Sequence, residues 1–227
     1  MPPTVEPATP VSSPASPTRS APPGSKRGFL AEFLRRPTQI GAVAPSSPYL
    51  AERMLEGLDI GKARVVVEYG PGTGAFTRAI LSHISPQQTK FFAIEINLPL
   101  VEAFRKRFPR LTIKHGSVTD VERLCREEGV ELPNPHQPAA AAGGVDLIIS
   151  GLPWASFPEA LQREALAAAV RVLRPGGMLV TFGYHVGLLL PAGQRFYRLL
   201  PEYFPTVTRS GPVWRNVPPA FVVRCVK

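Results

Sequence analysis

Three glycines and two acids carry the first chemical signal. Gly70, Gly72 and Gly74 alternate through "EYGPGTG" directly after an apolar run, and Glu68 stands just ahead of them. Glycine lets the backbone turn sharply and approach a ligand with no Cβ in the way. The helix expected next offers unpaired N–H groups and the positive end of its dipole. The G-x-G-x-G spacing differs from the G-x-G-x-x-G dinucleotide fingerprint, and a carboxylate at Glu68 repels a pyrophosphate. It suits a cationic group such as an ammonium. Glu95 ends the next apolar run, where an acid in a doubly wound fold accepts hydrogen bonds from ribose hydroxyls. A ribonucleoside with a cationic end satisfies both acids, and S-adenosylmethionine is such a molecule. The plain alternative is an ordinary strand-to-helix turn.

The elements around these residues alternate. Strands are expected at 64–69, 90–95, 111–114, 145–150 and 177–183, the last reached by the turn "RPGG". Helices are expected at 75–83, through "LPLVEAFRKRF", near 120–128, at 158–173 and near 192–201. Residues 130–144 read as a solvent loop. Strands alternating with helices predict an α/β domain with a mostly parallel sheet covered on both faces. The closing "FPTVTRSGPVWRNVPPAFVVRCVK" reads as two strands that form an antiparallel edge. Ahead of the first strand, Ser46 and Ser47 followed by Pro48 mark a helix start.

The N-terminal part divides in two. Residues 1–25 are Pro, Ser, Thr and Ala with almost no bulky apolar groups. Such a segment cannot bury enough surface to offset its ordering entropy, so a disordered tail is expected. Residues 26–62 carry "KRGFLAEFLRRP" and a flap. Phe29, Leu30, Phe33 and Leu34 form one helical face flanked by Lys26, Arg27, Arg35 and Arg36. A basic amphipathic helix of this kind lies in a membrane interface or docks on the domain core. Residues 63–227 form the main domain.

Bulk properties agree with one basic domain. Among 227 residues, 26 Lys and Arg oppose 17 Asp and Glu, a net charge of +9. Such a surface favours polyanions, whether nucleic acid or an anionic membrane face. Cys125 and Cys225 are far apart and have no metal-ligand spacing, which suits reduced thiols in the cytoplasm. No metal is expected. No apolar run is long enough for a transmembrane helix, and the N-terminus has no secretory signal.

"EYGPGTG" followed by "AIEIN" resembles the class I S-adenosylmethionine-dependent methyltransferases over about residues 63–227. That resemblance implies a doubly wound, Rossmann-like sheet of seven strands with the last antiparallel. It places Glu68, Tyr69, Gly70, Gly72 and Gly74 at the methionine end of the donor and Glu95 and Ile96 at the ribose. Ser117, Val118 and Ser150 join the donor-binding set. Ser117 stands where this class commonly has an Asp for the adenine amine. Asp120 replaces it in that role or caps the following helix.

Strand 145–150 leads into Gly151-Leu152-Pro153-Trp154. The Leu-Pro-aromatic part is similar to the ribosomal-RNA adenine dimethylases, whose tetrapeptide begins with Asn or Asp to read the exocyclic amine. Gly151 has no such acceptor. "GAVAPSS", "SGLPW" and "VWRNVPPAFVVRC" together resemble the bacterial soluble phospholipid N-methyltransferases. These act on phosphatidylethanolamine and its methylated forms towards phosphatidylcholine. The resemblance implies a phospholipid substrate and a monomer on the inner, cytoplasmic face of the membrane, docked by the N-terminal helix. Arg215 is then the candidate partner of a lipid phosphate.

Methyl transfer to nitrogen is an in-line displacement that needs a neutral amine, so alignment and desolvation are the main tasks. Tyr49, Tyr69, the Gly151 carbonyl, Tyr184 and His185 are the candidates near the amine. Trp154 is expected to offer a ring face to a methylated ammonium by a cation–π contact. Core packing is the alternative for each aromatic. Two other functions compete: an RNA or DNA adenine methyltransferase, and a donor-binding module without turnover or with a soluble amine as substrate.

Overall fold

Apolar, β-branched runs become strands here, and the amphipathic segments between them cover both sides of the resulting sheet. The computed structural model describes residues 46–134, 143–189 and 191–227. The Pro/Ser-rich tail and the basic amphipathic helix expected before residue 46 lie outside the described residues, as does part of the expected loop at 130–144. The first described helix, α1 (Pro48–Leu55), starts as anticipated: Ser47 Oγ accepts from Leu50 N at 3.2 Å and Pro48 occupies the first turn.

Strands and helices then follow in turn: β1 (Val65–Tyr69), α2 (Ala75–Leu81), β2 (Lys90–Glu95), α3 (Leu98–Arg107), β3 (Thr112–His115), α4 (Val121–Glu127), β4 (Val145–Ser150), α5 (Glu159–Val172), β5 (Leu173–Tyr184), α6 (Pro191–Tyr203), β6 (Thr206–Arg209) and β7 (Ala220–Val226). The seven strands lie in the order β3-β2-β1-β4-β5-β7-β6. All are parallel except β7, which runs antiparallel to both neighbours.

Two expectations shift. "RPGG" is not a turn ahead of the fifth strand but an irregular stretch inside β5, where the register to β4 slips between Val145 and Leu147. The last two strands do pair antiparallel, yet only β6 is the edge. Every residue of β7 from Ala220 to Val223 is buried, whereas β6 is largely exposed. "AFVV" is apolar on both faces, and only an inner position covers both.

One sheet face packs against α1 and α2 through Leu50, Met54, Phe76, Ile80, Val66, Ile149 and Val222. α3 extends that side over β2 and β3, with Phe91 touching both clusters. The other face packs against α4, α5 and α6 through Leu124, Leu166, Ala169, Phe196 and Leu200. β4 is buried along its whole length, as a strand covered on both sides must be. The strand order reverses between β1 and β4. Ligands in doubly wound sheets sit outside the carboxyl ends of the strands at that point.

Candidate active site

The carboxyl ends of β1 and β4 are stitched together by backbone. Tyr69 pairs with Ser150, Gly151 N donates to Tyr69 O at 2.8 Å, and Gly70 N donates to Ile94 O of β2 at 2.9 Å. Glu68 stands at this junction, fully buried on the α2 side. Its Oε2 accepts from Thr77 Oγ1 at 2.7 Å, while Oε1 is enclosed and has no partner. Burial pushes its pKa up to about 8, against the lowering effect of the Thr77 hydroxyl and amide. A buried carboxylate oxygen with no donor is costly, and a ligand ammonium is the donor that would complete it.

The three glycines have different reasons. All have positive φ, at 65°, 51° and 81° for Gly70, Gly72 and Gly74. A Cβ at Gly70 would lie 2.6 Å from Leu152 Cδ2, and one at Gly74 would lie 2.5 Å from the Phe108 ring. At Gly72 nothing stands within 4 Å of that position, which leaves bare backbone facing open space. Glu95 fixes this loop. Its carboxylate accepts from Asn97 N at 2.9 Å and from the Gly72 and Ile96 amides, and burial still raises its pKa.

A narrow cavity opens beside Glu95. Gly70, Glu95, Ile96, Ser117 and Val118 line it, so residues singled out in the sequence do converge. Ile94, Gly116, Leu152, Phe157, Leu161 and Ala165 form the rest of the wall. Sequence reasoning missed Phe157, Leu161 and Ala165, because apolar residues of a helix and its lead-in look like core. An apolar slot ending on an acid fits a flat base joined to a ribose. The Ser117 hydroxyl is engaged with Thr119, N–H at 3.1 Å and Oγ1 at 2.7 Å, so it caps its own turn. Asp120 makes no capping bond with its side chain and lies 3.6 Å from Arg123, away from the cavity wall.

Three expected site residues turn out to serve the scaffold. Tyr69 alternates with Glu68 along β1 and therefore points to the opposite face, fully buried beside Cys125. Ser150 Oγ accepts from Trp154 Nε1 at 2.9 Å and Leu152 N at 3.3 Å, shaping the turn rather than touching the cavity. Trp154 is buried, stacked on Phe196 at 5.3 Å and tilted against Phe157 at 5.9 Å. The expected open ring face for a methylated ammonium is thus absent, because α6 covers it.

Gly151 has a steric reason. A Cβ there would sit 2.7 Å from the Gly70 carbonyl oxygen and 3.4 Å from the Phe76 ring. The backbone leaves no room for the Asn or Asp that reads a nucleobase amine. Phe76 leads on to Phe182 at 5.6 Å, and Phe182 to Tyr184 at 5.5 Å. Gly151 and Tyr184 thus bracket one aromatic side of the carboxyl end of the sheet. The Tyr184 hydroxyl is enclosed without a partner, and burial raises its pKa, so it stays a neutral phenol.

His185 follows Tyr184 but faces the other way. Its ring meets Phe221 edge-on at 5.1 Å and lies parallel to Trp214 at 6.3 Å, with Nε2 enclosed and unpartnered. The two neighbours therefore cannot serve one amine, and His185 is on the wrong face for Gly151. Tyr49 and Arg215 meet at the rim, with the guanidinium 4.9 Å above the ring. Asn216, missed in the sequence, pins this rim: its Oδ1 accepts from Ser47 N at 3.0 Å and its Nδ2 donates to Pro218 O at 2.8 Å. Among the described residues, no three His, Cys, Asp or Glu side chains gather as a metal site.

Fold and site together define a doubly wound enzyme for an adenosine that carries an ammonium. Comparison with known proteins agrees. Residues 67–181 match the family model described as a methyltransferase domain. The chain belongs to that family and is a class I S-adenosylmethionine-dependent methyltransferase. It is 32% identical over 200 residues to the ornithine lipid N-methyltransferase of Singulisphaera acidiphila, covering 87% of this chain and 93% of that one. Among solved structures, an O-methyltransferase from Bacillus cereus in complex with SAH aligns with a TM-score of 0.60 at 16% identity, over 90% of this chain and 93% of its own. The O-methyltransferase of tomaymycin synthesis from Streptomyces achromogenes, in complex with SAM, aligns at 0.58 and 17%, over 89% and 90%. At such identity these two speak for the fold alone.

Proposed function

We propose that this methyltransferase acts on the amine of a lipid headgroup at the inner face of a membrane. The observation that carries the lipid over a nucleobase is Gly151, whose surroundings exclude a base-reading side chain. The similarity to an ornithine lipid N-methyltransferase over most of both chains supports the same choice. The C-terminal motif resemblance favours phosphatidylethanolamine, the relative's name favours ornithine lipid, and both lipids present a primary amine. The basic amphipathic pattern at 26–37 supports docking at the membrane. Among the described residues no helix is long and apolar enough to cross one.

S-adenosylmethionine, when bound, supplies an electrophilic methyl group. In this reading Glu68 holds the donor's ammonium, Glu95 its ribose hydroxyls, and the apolar slot from Ile96 to Phe157 its base. Tyr184, a neutral phenol, orients the acceptor amine by a hydrogen bond and does not strip its proton. The amine sheds protons to water before each transfer, and the aromatic wall of Phe76 and Phe182 limits how much water stays near it. Arg215 pairs with the headgroup's anion, a phosphate or a carboxylate.

The test is labelled S-adenosylmethionine with three acceptors offered separately: phosphatidylethanolamine vesicles, ornithine lipid vesicles and undermodified ribosomal RNA. Label in one or both lipids is expected, and their ratio assigns the headgroup. Label in RNA alone overturns the reading.

A further inference from the structure

We infer that the carboxyl-end rim of the sheet beside the acceptor site is itself a bilayer-docking surface, formed by residues 185–189 and 213–219 and suited to an anionic lipid face. This rests on the proposed lipid substrate for its purpose, but the surface stands on its own geometry. Four large apolar side chains protrude there: Leu189 is 81% exposed, Val217 79%, Trp214 72% and Val186 56%. An exposed apolar cluster of this size marks an interaction site rather than chance.

The two segments form one surface. The His185 ring lies parallel to Trp214 at 6.3 Å, and His185 N donates to Pro219 O at 3.0 Å. Val213 N donates to Ala220 O at 2.6 Å, and Asn216 ties the loop to Ser47. The apolar side chains are thus held outward by a braced loop. Register sets their place: Tyr184 of β5 pairs with Ala220 of β7, so both segments leave the sheet at the end that carries Glu68 and Gly151. A lipid whose tails stay in the bilayer needs that rim against the membrane if its headgroup is to reach Gly151.

Charge selects the occupant. Across residues 185–227 the one acid is Glu202, which pairs with Arg163, while Arg209 and Arg215 accompany the apolar tips. An apolar tip accompanied by two arginines matches an anionic membrane face, where each cation adds to binding. Tryptophan is also the side chain that settles best at the headgroup boundary.

The chain's two tryptophans make this measurable, because Trp154 is buried and Trp214 exposed. The probe is the full chain with phosphatidylglycerol vesicles, which contain no amine. Tryptophan emission should shift to the blue and be quenched by lipids brominated along their chains. W214F should abolish both changes. V217D, at a site that touches neither donor nor acceptor, should weaken vesicle partition roughly tenfold, the scale of withdrawing one large apolar side chain. Emission unchanged by vesicles overturns the inference. So does emission already blue and shielded from acrylamide before lipid is added, which means another part of the chain covers the patch. A blue shift driven by protein concentration alone assigns the surface to a second copy and also overturns it. Lipid methylation without Trp214 insertion sinks only this docking surface. Insertion with no methylation of any lipid sinks the substrate reading instead.

Discussion

Glu68 and Asp146 are buried carboxylates on adjacent strands, one at each end of the sheet, and they are treated in opposite ways. Asp146 is saturated: Oδ2 accepts from Arg64 N and Val65 N, both at 2.8 Å, and Oδ1 from Arg174 Nε at 2.6 Å. Glu68 has one hydroxyl and one vacant oxygen. At the amino end of the strands the polar groups close on one another and hold the fold. At the carboxyl end Glu68, Tyr184 and His185 each keep an enclosed polar atom without a partner, as do the packed side chains of Tyr69 and Gln162. Unsatisfied buried groups are rare in folded proteins, and of these five Glu68 and Tyr184 lie on the α2 side of the sheet beside Phe76, where a ligand would meet them.

Three measurements break or sharpen that contrast. The largest effect is expected at the closed end. D146A leaves two amides and a guanidinium without their acceptor and should cost about 2–4 kcal/mol of stability. Thermal melting should fall by roughly 5–15 °C for a chain of this size, while donor affinity at temperatures where the protein stays folded is unchanged. An unchanged melting temperature would mean the clamp is ornamental.

At the open end the expectation reverses. E68Q removes the charge that meets the donor's ammonium and should weaken S-adenosylhomocysteine binding roughly 10–100-fold, about the worth of a charge-assisted hydrogen bond. Melting of the ligand-free protein should not fall. The sign follows from the shift: Glu68 titrates near 8 in the fold, against 4.5 when unperturbed. Its contribution to stability is complete below 4.5 and is lost as pH rises towards 8. The wild type should therefore lose melting temperature over that window relative to E68Q. Binding runs the other way, since seating an ammonium on a protonated Glu68 releases a proton. Affinity by calorimetry should climb from pH 6 towards 8 as Glu68 ionises, and decline only at higher pH, where the ligand's own α-amine deprotonates. A flat profile would show that Glu68 does not meet that amine.

The smallest effect is set at Tyr184. Y184F should lower kcat for a lipid amine roughly tenfold, the worth of one orienting hydrogen bond. S-adenosylhomocysteine affinity should hold, because Tyr184 lies on the acceptor side. A loss of donor binding instead would move Tyr184 to the other half of the site.

Much of this was legible in the order of residues. The strands of the first half, the glycine turn and the two acids follow from period, turn chemistry and charge, all local signals. The misreadings have a common physical source. Trp154 has the type and position of a substrate-facing aromatic, but Phe196, far along the chain, takes its open face. Tyr69 neighbours Glu68, yet alternation along a strand sends it to the other side, while His185 begins the short 3-10 helix past the end of β5, with its ring against Phe221 and Trp214. Leu161 and Ala165 are site residues only because α5 happens to pass the cavity. Asn216 carries no local signal at all, as its partner Ser47 belongs to the opposite end of the described chain.

The position of β7 has a consequence for the order in which the enzyme can be made. Every strand that holds the donor, from β1 to β4, leaves the ribosome before the strand that must slide between β5 and β6 exists. Asn216, which latches the start of α1, emerges just ahead of that strand. A nascent chain can therefore assemble a nucleoside pocket early, but the acceptor rim closes only once Asn216 and β7 have emerged.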